Sequence, residues 1–76
     1  MDELRALAGC GRPWAEQRAL MALQLADAYS TGQVSPDEYR ALLEDLVRTD
    51  QLDAEADDVE MKNMLVYGVM MLAKVA

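Results

Sequence analysis

The stretch VSPDEYRALLEDLVRT, residues 34–49, decides the fold. Ser35 stands where a helix N-cap belongs, Pro36 at the first helical position and Glu38 at the third, the pattern of a capping box. Val34 and Tyr39 occupy the two positions of a hydrophobic staple. Tyr39, Leu42, Leu43, Leu46 and Val47 then recur at i, i+3, i+4, i+7 and i+8, which lines one side of a helix with apolar groups. Arg40, Glu44 and Arg48 follow one another at i,i+4 steps on the opposite side, each able to pair with the next. The spacing predicts a helix over 35–49.

Upstream, Gly32 falls where a left-handed C-terminal cap would end a preceding helix. That helix is predicted over segment 13–31, from Pro13 to about Tyr29, with Trp14, Met21, Leu25 and Ala28 at helical spacing. Polar residues form only a narrow strip on it: Gln17, Gln24, Asp27 and Thr31. The short connection makes the two helices an antiparallel hairpin. Its turn, TGQVSPDEY, resembles the short helical hairpins found at the ends of some bacterial proteins; turn chemistry alone carries the likeness, and no function comes with it.

Residues 1–12 read as an arm or a two-turn helix (DELRALA) stopped by Gly9 and Gly11. Helices that short are marginal alone, so this segment either docks or stays loose. Downstream, a third helix is predicted over 53–75, with Asp53, Glu55, Asp57 and Asp58 crowding its first turns, where the helix dipole favours negative charge. The result is an all-α fold: a small three-helix bundle, made of a hairpin plus an apolar C-terminal helix, with the short N-terminal arm or helix attached. Length supports this reading, since 76 residues leave room for a single small domain. Composition supports it too: Phe is absent, the aromatics are one Trp and three Tyr, and Ala and Leu dominate, which disfavours a β-sandwich or barrel.

Composition also narrows the function. Fourteen acids face seven bases, for a net charge of −7. Direct nucleic-acid binding needs clustered Lys and Arg to displace counterions. Here Arg5, Arg12, Arg18, Arg40, Arg48, Lys62 and Lys74 are scattered among acids. Cys10 is the sole cysteine, so no internal disulfide is expected and a reducing, cytoplasmic setting fits most simply. The acidic start Met1-Asp2-Glu3 does not read as a secretory signal, and the nearly uncharged run 63–73 is too short for a membrane span.

No chemistry-bearing pattern emerges. The six acids between Asp50 and Glu60 fail as a calcium loop: from Asp53, the sixth position is Asp58 rather than Gly and the twelfth is Met64. With no His and one Cys, neither zinc nor a bundle di-iron site has its ligands. Ser30 and Ser35 lack an activating base, and Cys10 lacks a His or a resolving thiol. The expectation is a protein that is not an enzyme and uses no cofactor, metal or small-molecule substrate.

The third helix carries the functional expectation. Met61, Leu65, Gly68, Leu72 and Val75 make one apolar line; Val59, Asn63, Val66, Met70 and Ala73 make another, roughly opposite. A hairpin shields one side of a third helix, so the second line should stay open unless Leu4 and Leu7 of the arm fold back over it. Should Val59, Val66, Val69 and Met70 leave about 200–300 Å² of apolar surface open, covering it would contribute about 5–7 kcal/mol. The candidate partner interface is therefore Val59, Val66, Val69, Met70 and Ala73, joined by Trp14 if that side chain faces outward. The function expected is protein–protein contact, with copies of itself or within a larger assembly, as a structural or assembly subunit. Size and composition resemble those of small accessory proteins encoded by phages and mobile elements. The alternative is an acidic inhibitor that blocks a basic, nucleic-acid-binding surface of a partner enzyme.

Overall fold

The computed structural model describes residues 2–75, and these form α1 (Asp2–Leu7), α2 (Pro13–Ser30), α3 (Pro36–Leu46), α4 (Thr49–Glu55) and α5 (Val59–Val75). The described residues are helical with connecting turns and include no strand. The residues at the α2–α3 turn act as their types require. The Ser35 hydroxyl accepts from the Glu38 N–H at 3.2 Å and caps α3. At the end of α2, Gly32 adopts φ +78, Gln33 N–H donates to the Ala28 carbonyl at 2.9 Å and Gly32 N–H to that of Tyr29 at 3.1 Å. That pair of bonds is a Schellman cap. The hairpin closes with Tyr29 stacked on Tyr39, ring centroids 4.5 Å apart and planes 3° from parallel. Burial pushes the Tyr39 hydroxyl above its usual pKa, with nearby Tyr29 adding to the effect.

Two helix boundaries differ from the sequence expectation. The helix begun at Ser35 ends at Leu46, not at Thr49, because the chain turns at Val47 and Arg48 and Thr49 opens α4. The helix expected over 53–75 is two helices. Ala56 is extended (φ −72, ψ 124), and the Asp58 carboxylate accepts from the Met61 N–H at 3.0 Å, capping a fresh helix. Asp57, between them, is drawn sideways to α2: its carboxylate accepts from Arg12 Nη1 at 2.9 Å and from Trp14 Nε1 at 3.1 Å. A continuous helix would forfeit all three bonds.

The N-terminal segment, for which the sequence left two options, docks as α1. Leu4 and Leu7 are buried at 0% and 2% exposure, and α1 packs on α2 and α5. Gly68 makes this possible. A Cβ built on it would lie 3.0 Å from Leu4 Cγ, closer than ordinary packing allows, so the glycine is the notch that receives Leu4. Helix α5 therefore packs mainly on three helices, α1, α2 and α3, where two were expected. One apolar core joins them, with Leu4, Leu43, Leu52, Leu65 and Val69 as its largest fully enclosed side chains.

Candidate docking face

Which side of α5 remains open follows from where its three neighbours sit. Leu65, Gly68, Val69, Leu72 and Ala73 are buried, and Met61, Lys62 and Val66 are half-buried. The exposed residues, apart from Val59 at the helix start, are Glu60, Asn63, Met64, Tyr67, Met70, Met71 and Lys74. These recur every three or four positions and make one stripe. At its centre Met64, Tyr67, Met70 and Met71 are 42%, 58%, 45% and 43% exposed. Four large apolar side chains held half out of water on one helix side form the most concentrated open apolar surface among the described residues.

The six expected interface residues divide. Met70 and Val59 are open, Val59 at 73%, and Val66 is half-buried. Val69, Ala73 and Trp14, at 0%, 7% and 8%, belong to the core, so the expectation that they face outward is corrected. At about 100° per residue, Val69 and Ala73 fall in the same sector as the buried Leu65 and Leu72. Trp14 is held inward by its bond to Asp57. The open stripe is rotated toward Tyr67 from the line read in the sequence. Met64, Tyr67 and Met71 were missed there because the arm was given no fixed place. Once α1 sits over Gly68, the covered sector is complete and the open one is what remains.

Beside the stripe, α3 and α5 leave a shallow groove of about 360 Å³, where Tyr67, Met70 and Met71 meet Arg40 and Glu44 of α3 and Lys74. A second apolar recess, about 370 Å³, lies on the other flank of α3 between Met21, Leu25, Leu42 and Leu46. Met21 and Leu42 are 50% and 40% exposed there.

Three of the four ion pairs among the described residues join different parts of the fold, and the fourth, Arg40 with Asp37, lies within α3. Arg18 donates from Nε to the Leu46 carbonyl at 2.9 Å, from Nη1 to the Trp14 carbonyl at 3.1 Å, and from both Nη atoms to the Glu55 carboxylate, each at 3.1 Å. It thereby ties α2 to the end of α3 and to α4. The hydrogen bonds from Arg18, and then its charge, hold the Glu55 carboxyl below its usual pKa. Lys62 reaches back from α5 to Asp53 of α4. The acids of residues 53–58 thus act as specific ties and one helix cap, more than as diffuse dipole charge. Among the described residues, no three acidic or cysteine side chains converge to hold a metal ion. No helix among them is long and apolar enough to cross a membrane. No family model matches the chain, and neither the curated proteins nor the solved structures contain a match to it.

Proposed function

We propose that this chain works by protein–protein contact, with the open face of α5 as the docking surface. One observation supports the reading above others: Met64, Tyr67, Met70 and Met71 stay 42–58% exposed although α1, α2 and α3 already occupy the other sides of their helix. Among the described residues nothing else covers them. Clustered apolar exposure of this kind marks interaction sites on small proteins, and methionines let a surface adapt to what it meets. A structural or assembly subunit suits such a face, since burial in a lasting complex removes it from water.

Binding through this face tolerates salt. A charge-driven blocker of a basic groove, the alternative role for a chain of net charge −7, would release steeply as ionic strength rises.

Cross-linking tests the proposal. A photoreactive benzophenone side chain at position 67, carried by the full chain in its native cell, should yield covalent adducts on illumination. The same group at Gln17, exposed on α2 away from the face, should yield none. Adducts at 17 but not at 67 would remove the docking reading.

A further inference from the structure

The open stripe of α5 has an internal symmetry that names its occupant. Taking Tyr67 as centre, Met64 and Met70 stand three residues to either side, Asn63 and Met71 four, and Glu60 and Lys74 seven. All seven are exposed. The charges at the two ends, two helical turns from the centre, are opposite. We propose, building on the docking reading above, that the occupant is a second copy of this chain, its α5 laid antiparallel on the first about a two-fold axis near Tyr67.

In that arrangement each Met64 meets the other copy's Met70, the two tyrosines cross at the centre, and Glu60 of each copy faces Lys74 of the other. The contact is isologous, the same patch on both copies, as a closed dimer requires. A parallel pairing would set Lys74 against Lys74 and Glu60 against Glu60, which like-charge repulsion disfavours. Each copy carries −7 overall. At physiological salt that general repulsion is largely screened beyond about 8 Å, while the two Glu–Lys contacts are screened far less. The stripe is small beside the ~800 Å² per partner of a standard interface, so the pair forms in a concentration-dependent way.

Charge reversal tests this without disturbing the core. Sedimentation equilibrium of the full chain at physiological salt should show the mass rising with concentration toward twice 8.4 kDa. Glu60→Lys alone and Lys74→Glu alone should each weaken the association at least tenfold, with an unchanged helical circular-dichroism signal. The double variant, which exchanges the two charges, should restore it. A wild-type chain that stays at 8.4 kDa overturns self-pairing. So does a dimer indifferent to both single reversals, or one that the double variant fails to rescue. Position-67 adducts to a different protein, beside a monomeric wild type, would leave the docking face standing and remove only the second copy.

Discussion

Arg18 shows how much one side chain does in so small a fold. Its side chain is 14% exposed, and it donates to two backbone carbonyls and to Glu55. The Leu46 carbonyl is among the last of α3, which helix geometry leaves without an intrahelical partner. Replacing Arg18 with Met keeps the aliphatic stem and removes every donor. The expected cost is about 2 kcal/mol in urea unfolding, from the carbonyls left without a charged donor. Acid has a related effect. Because Glu55 has its pKa lowered in the folded chain, its contribution is complete above the ordinary carboxylate range and fades as pH falls through the lowered value. Arg18→Met should therefore flatten the acid limb of the stability profile as well as lower the plateau. An unchanged acid limb would show that the Arg18–Glu55 contact does not persist in water.

Helix α1 is the element whose behaviour the sequence leaves most open. At six residues it has no stability of its own, and it holds because Leu4 and Leu7 enter the α2–α5 surface. Gly68 is the matching feature. Gly68→Val should fill the notch that Leu4 occupies and release α1, leaving α2, α3 and α5 packed. Limited trypsin digestion reads this out through cleavage after Arg5, slow in the parent and fast in the variant. Continued protection in Gly68→Val would mean that α1 is anchored by something other than Leu4. The same element explains what could and could not be read in advance. The α2–α3 hairpin was legible because its signals are local: Ser35 caps the Glu38 N–H three residues on, Pro36 opens the helix beside it, and Gly32 closes α2 onto carbonyls a few residues back. The break between α4 and α5 was not, because the partners of Asp57 are Arg12 and Trp14, more than forty residues away. Acid-rich helix starts look alike whether the acids serve the dipole or reach across the fold.

At the scale of the whole molecule, an apolar surplus on the C-terminal helix was legible, and its direction was not. Counting apolar residues around α5 gives the excess; only the positions of α1, α2 and α3 say which side it emerges on. The open side is the one centred on Tyr67, so Val69 and Ala73 support the core while Met64 and Met71 join Met70 at the surface. The protein also has a natural control for this assignment in Met21, half-exposed in the separate recess beside α3. Hydroxyl-radical footprinting across rising protein concentration compares the two surfaces directly, since exposed methionines oxidise readily to sulfoxides. Met64, Met70 and Met71 should lose reactivity together as the chain associates, while Met21 keeps its own. Protection of Met21 with Met64, Met70 and Met71 still reactive would place the contact on the other flank of α3 and contradict the docking face proposed here.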